Sequence, residues 1–334
     1  MKNIWQKVIK NKPFFCLAPM ADVTDIAFRQ IIAKYSKHGK KGGGPDLFWT
    51  EFVSADGLAS KEGRKKLLPI LKFSKKEKPI IAQIFGANPE NIKTTCQIIS
   101  KLGPPGSRTG FDGIDINMGC PDKAVVKQGA GSALIRTPTL AREIIKAAKE
   151  GAPKIPISVK TRIGFNSIDY KNWLPEILKE KPVALTIHLR TKKEMSDVSA
   201  HWELAKDVVK TVRNIDKEIV LIANGDIKDL KEGKEKVLST GFDGVMIGRG
   251  IFGKPWLFDS TLKKEVTIKG KLKILVEHTK LFNKLLSKQK RFDVMKKHFK
   301  AYVNGFDGAK ELRIKLMNTN NIKEIEKVIN SFLS

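Results

Sequence analysis

Short, wholly apolar runs recur along about the first 250 residues, and most are followed by a longer stretch whose apolar residues return every three to four positions. The runs fall at 14–18, 47–52, 80–85, 113–117, 157–161, 183–188, 219–224 and 244–248. They do not alternate apolar with polar, which is the signature of parallel strands buried on both faces. Helical periodicity fills the intervals at 25–35, 89–102, 139–148, 202–212 and 228–238. Eight strand-then-helix units predict an α/β fold of the (β/α)8 TIM-barrel type, with a doubly wound open sheet as the structural rival. After Ile251 the strand pattern stops, and amphipathic stretches at 272–286, 292–303, 310–317 and 322–332 predict a small all-helical domain. The expected division is a barrel over 1–259 and a helical domain over 260–334. Gly/Pro-rich segments at 40–45 and 103–110 read as loop insertions on the bottom face of the barrel, with no catalytic role.

Composition narrows the class. With 41% hydrophobic residues, the 334-residue chain can bury a large core. No stretch approaches the roughly 20 apolar residues a membrane helix needs, and the apolar run at 13–20 is too short for a signal sequence. Cys16, Cys96 and Cys120 make neither a disulfide framework nor a zinc spacing. The expectation is a cytoplasmic protein with no metal and no membrane association. The formal net charge is +28, and 260–334 carries 18 Lys/Arg against 7 Asp/Glu, about twice the net positive charge per residue of the rest. That excess suits a polyanionic partner, nucleic acid first, although a scattered lysine-rich background gives the same sum.

Polar residues cluster where each predicted strand ends, the end at which barrel chemistry resides. They are Pro19-Met20-Ala21, Thr50-Glu51, Gln83, Asn117-Met118-Gly119-Cys120-Pro121, Lys160 with Arg162, His188 with Arg190, Asn224-Gly225-Asp226 and Gly248-Arg249-Gly250. The last two resemble a phosphate cradle, because glycines at matched positions let backbone N–H groups approach an anion and Arg249 adds a cation. A ring-bearing phosphate cofactor would then lie toward Met20, Gln83 and Lys160. A lysine inside an apolar strand is costly unless it points into a polar mouth, where it suits the pyrimidine edge of a flavin. His188 reads either as a core histidine or as a ligand contact. Cys120, between glycine and proline just past a strand, is a candidate nucleophile or acid, whereas Cys16 and Cys96 read as core.

The segments LAPMADVTDIAFR (17–29), TEFVSADGL (50–58), AQIFG (82–86), FDGIDINMGCP (111–121), PISVKTRIG (156–164), TIHLRT (186–191), LIANGDI (221–227) and FDGVMIGRG (242–250) together resemble the tRNA-dihydrouridine synthase family. The stretch KHFKAYVNGFDGAKELRIKL (297–316) resembles the RNA-binding helical domain of its bacterial-type members. The resemblance implies an FMN-dependent oxidoreductase that reduces the C5=C6 bond of selected tRNA uridines, with NADPH as reductant and a protein acting as a monomer. It assigns FMN to Pro19, Met20, Ala21, Gln83, Lys160, His188, Asn224, Gly225, Asp226, Gly248 and Arg249. Cys120 becomes the acid that protonates C5 as hydride reaches C6 from reduced flavin. Asn117, Lys127, Arg162 and Arg190 are assigned to the substrate base or its phosphate. One departure stands out: the family's His-Gly-Arg-Thr is His188-Leu189-Arg190-Thr191 here, which puts close backbone approach at 189 in question. The rivals are another FMN barrel acting on a free pyrimidine, which would not need the basic tail, and a non-catalytic tRNA binder.

Overall fold

Eight parallel strands account for the apolar runs: β1 (Phe14–Leu17), β2 (Phe48–Trp49), β3 (Ile80–Phe85), β4 (Gly113–Met118), β5 (Ile157–Gly164), β6 (Ala184–Thr191), β7 (Val220–Asn224) and β8 (Gly244–Ile247). The computed structural model describes residues 3–103 and 110–334. Each strand pairs in parallel with its sequence neighbour from β2 through to β8, and β8 pairs with β1 from Phe14↔Gly244 to Leu17↔Ile247. A bridge between Cys16 and Leu47 joins β1 to the start of β2, so the sheet closes on itself. This closure excludes the open doubly wound sheet. The join is narrow: the Leu17 N–H donates to the Leu47 carbonyl at 3.1 Å, and the Asp46 N–H to the Phe15 carbonyl at 2.8 Å.

Two packed layers follow from wholly apolar strands. Phe14, Cys16, Trp49, Ile81, Ile222 and Met246 fill the inside of the barrel, and Trp5 from the short helix Ile4–Val8 packs on Trp49 beneath them with ring centroids 6.0 Å apart. The outward-facing strand residues meet helices Ile26–Tyr35, Pro89–Ile99, Pro138–Gly151, Ala205–Arg213 and Leu230–Thr240. A sixth barrel helix, Tyr170–Leu178, carries Pro175 in its interior, which breaks the sequence signal for a helix there. Trp202–Leu204, expected as the first turn of an α-helix, is 3-10.

Beyond the barrel come helices Ile268–Leu286, Lys296–Tyr302, Ala309–Met317 and Ile322–Leu333. The first packs against Ile26–Tyr35: Phe28 stacks on His278 at 5.0 Å, and the Tyr35 hydroxyl donates to Glu277 at 2.7 Å. Lys290 reaches back to the barrel and donates to Asp22 at 2.9 Å and to Glu51 at 2.7 Å. Among the described residues no helix is long and apolar enough to cross a membrane. The 40–45 segment docks on residues 258–261 through the Ser260 N–H to the Gly42 carbonyl at 2.8 Å. Of the 103–110 segment, residues 104–109 lie outside the described residues.

Candidate functional site

The strands' C-terminal ends surround a cavity of about 300 Å³. Its lining comes from the ends of seven strands: Pro19 and Met20 after β1, Phe52 after β2, Asn117 and Cys120 at β4, Lys160 and Arg162 on β5, His188 and Arg190 on β6, Asn224, Gly225 and Asp226 at β7, and Gly248 and Arg249 at β8. Ala21 and Lys127 are exposed and do not line it; Lys127 ends the short helix Lys123–Lys127 that follows the Cys120 loop. Gln83 lies fully buried beneath the floor.

Gln83 belongs to a chain of hydrogen bonds that shapes the β4 loop. Its Nε2 donates to Asp115 Oδ2 at 2.7 Å, and its Oε1 accepts from Asn117 Nδ2 at 3.1 Å. Asn117 Oδ1 accepts the N–H groups of Gly119 at 3.1 Å and Cys120 at 2.8 Å. An acceptor-only carboxylate at one end sets the direction of the chain: it orients the Gln83 amide, which in turn orients that of Asn117. Ser158 also donates to Asp115, whose carboxyl is raised to about 6, chiefly by burial. Space on the other side of the loop is tight. A Cβ at Gly131, itself at φ +60°, would stand 2.9 Å from the Cys120 carbonyl oxygen. Burial pushes the Cys120 thiol above its ordinary value, and the resulting thiol is protonated at neutral pH.

Across the mouth lies a group of cations. Lys160 Nζ donates to Asn224 Oδ1 at 3.0 Å, and Asn224 Nδ2 donates to the Met246 carbonyl, so the amide is locked with its oxygen toward the lysine. Burial, then the neighbouring Arg162, lowers Lys160 to about 8. Arg162 donates to the carbonyls of Gly119 at 2.8 Å and Thr191 at 2.9 Å, tying the β4, β5 and β6 loops together. Arg190 Nη1 lies 3.1 Å from His188 Nε2, and its Nη2 is paired with Asp226. Burial and four surrounding cations hold His188 far below its ordinary pKa, so it is neutral, accepts from Arg190 at Nε2 and carries its proton on Nδ1. Asp226 also pairs with Arg249 at 2.7 Å, and that arginine's side chain remains 60% exposed. Gly225 has φ +135°, and a Cβ there would come within 2.7 Å of Ala200. Leu189 is buried in the outer core, on the opposite face of β6 from His188 and Arg190, so the departure at 189 leaves the mouth open.

Some lining residues carried no sequence signal. Met195 and Ser196 reach the cavity from the loop after β6, which Arg162 and Arg190 fasten through the carbonyls of Met195 and Val198. Phe52 enters where the 47–52 run looked like continuous strand. Beside the mouth a second cavity of about 240 Å³ lies between barrel and helical tail, lined by Asp22, Asp25, Glu51, Lys66 and Lys290 among others.

A family model described as dihydrouridine synthase matches residues 16–333. A probable tRNA-dihydrouridine synthase of Staphylococcus aureus (strain MRSA252) is 42% identical over 99% of this chain and 96% of its own length. A probable tRNA-dihydrouridine synthase 2 of Bacillus subtilis (strain 168) is 39% identical over 99% and 97%. Among solved structures, 2-naphthoyl-CoA reductase in complex with 2-naphthoyl-CoA gives a TM-score of 0.51 at 12% identity, over 73% of this chain and 49% of that one. At that identity the likeness speaks for the barrel fold alone, and this chain spans about half that protein's length.

Proposed function

The chain belongs to the dihydrouridine synthase family, and from that premise we propose that it reduces the C5=C6 bond of uridines in tRNA, with FMN as cofactor and NADPH as reductant. The observation that carries the reading is the Cys120 thiol lining the same cavity as Lys160, His188, Arg249 and the glycines at 225 and 248.

The residues present fit FMN. Arg249 offers an exposed guanidinium, Gly225 and Gly248 line the cavity beside it, and Lys160 with Asn224 offers a cation and an amide to a pyrimidine edge. Pro19 and Met20 add apolar surface, with Asp226 setting the position of Arg249. Ala21 and Gln83 support this site from its rim and floor. When bound, FMN supplies the two-electron reduction of the uracil enone.

The protein's own part is proton delivery and grip. Reduction at C6 leaves C5 needing a proton, and Cys120 Sγ–H is held by a loop that Asn117 fixes on one side and the Ser132 N–H fixes on the other. Arg162, Arg190 and Asn117 then meet the base, with Lys127 on the outer approach. The target uridine must leave its stack to enter the mouth. Residues 1–259 form the FMN domain, and the basic helical domain 260–334 grips the RNA phosphates.

Purified protein should be yellow, and tRNA from a strain lacking it should lose dihydrouridine at defined positions, restored by the wild-type chain. Colourless protein and unchanged tRNA would overturn the reading.

A further inference from the structure

Phe165 follows β5 immediately and is nearly buried at 9% exposure. Two cations flank its ring from neighbouring loops. Arg136, after β4, places its guanidinium carbon 4.2 Å from the ring centroid, and Lys192, after β6, places its ammonium 5.2 Å away. The β5 and β6 loops are fastened together beneath them: the Lys192 N–H donates to the Gly164 carbonyl at 2.9 Å, and the Lys193 N–H to the Phe165 carbonyl at 2.8 Å. Arg136 ends the 3-10 helix Gly131–Arg136, whose Ser132 N–H bonds the Cys120 carbonyl at 3.0 Å. The flanked ring therefore stands on the Cys120 side of the mouth.

Arg136 is exposed, and among the described residues it makes no ion pair or hydrogen bond. A guanidinium that close to a ring centroid packs against the ring, leaving its outer side toward solvent. The loops after β5 and β6 also expose Ile168, Met195 and Val198, each more than 40% accessible, and Met195 lines the catalytic cavity. A cationic plane backed by an aromatic suits an unstacked nucleobase, which is flat, polarisable and attached to an anionic backbone. A uridine drawn into a barrel mouth leaves its neighbours unstacked at this rim.

We propose that Arg136, held against Phe165, is the stacking platform for a nucleobase flanking the uridine being reduced, with Phe165 as the positioning residue beneath it. This rests on the tRNA reading above. It makes Arg136 a determinant of substrate recognition that acts through its plane rather than through its charge alone.

The test is steady-state kinetics on unmodified tRNA with the FMN-loaded wild type and the Arg136→Ala, Arg136→Lys, Phe165→Leu and Arg136→Ala/Phe165→Leu variants. Expected for Arg136→Ala is a KM for tRNA raised by about 5- to 20-fold, with kcat and flavin content near wild type. Arg136→Lys keeps the charge and should fail to restore KM. The double variant should be no worse than Arg136→Ala. An unchanged KM, or full rescue by Arg136→Lys, would overturn the platform. So would a loss of about one unit from the slope of log affinity against log salt in Arg136→Ala, the mark of a phosphate contact. A wild type that forms no dihydrouridine overturns the functional reading and this inference with it, whereas variants matching an active wild type overturn the inference alone.

Discussion

Asn117 Oδ1 accepts the backbone N–H of Cys120 at 2.8 Å, while its Nδ2 donates to Gln83. A residue at the end of β4 thereby sets the loop that carries the thiol. Asn117→Ala should lower kcat while leaving flavin bound, and should cost about 1–3 kcal/mol of stability for the unpaired Gln83 oxygen. Parallel urea titration and turnover measurements separate the two effects. Wild-type kcat would sever the loop geometry from the chemistry.

Cys120→Ala should retain FMN and lose about 10²- to 10⁴-fold in uridine reduction, the usual contribution of a positioned general acid. Because burial raises the thiol pKa, its alkylation by iodoacetamide should stay slow until the pH passes the ordinary thiol range. Rapid alkylation at pH 7 would contradict a protonated donor.

Lys160 is lowered to about 8 by burial and by Arg162. The apo protein holds the ammonium below that pH and loses it above. FMN affinity should therefore weaken as pH climbs through about 8, and Lys160→Gln should bind more weakly with a flat profile. Fluorescence titration between pH 6.5 and 9.5 reads both.

His278 and His298 are buried where the helical tail meets Phe28, with ring centroids 4.6 Å apart. Burial lowers both, His298 to about 3. Their unfolded counterparts protonate near 6.5, so the stabilisation is complete above that pH and is lost as the pH falls toward the folded-state values. His298 should remove on the order of 2 kcal/mol by pH 5, with His278 acting in the same direction. Urea midpoints at pH 7 and pH 5 test this, and His298→Phe should make the drop smaller.

Lys290 is 12% exposed at its side chain and is paired with both Asp22 and the nearly buried Glu51. Lys290→Met should destabilise the fold by about 3 kcal/mol, because the nearly buried Glu51 is left without its partner. Glu51→Gln in the same background should recover part of that loss, by differential scanning calorimetry.

Most of the barrel was legible because parallel strands buried on both faces must be continuously apolar, and each of the eight runs holds a strand, although 47–52 yields only Phe48–Trp49. Helix Tyr170–Leu178 was masked by Pro175, and the helix Ile4–Val8 is too short to show a period. At the mouth, glycines and charged residues at strand ends could be read because apolar strands make them conspicuous. Asp115 could not: one carboxylate inside β4 looks like an interruption until Gln83 and Ser158 are seen to hold it. The Lys290 pairs join residues more than 230 positions apart, and no local pattern encodes that separation.

Those pairs bear on the narrow join between β1 and β2. Asp22 follows β1, Glu51 follows β2, and one ammonium from the helical tail holds both, so Lys290 acts as a clasp across the seam of the hoop. Amides at Asp46 and Leu17 should be the first of the barrel's strand hydrogens to exchange when that clasp is removed. Under the proposed function, holding RNA with the tail and keeping the barrel shut become one linked equilibrium: a ligand that steadies the tail tightens the hoop, and a loosened hoop weakens that ligand's binding by the same free energy.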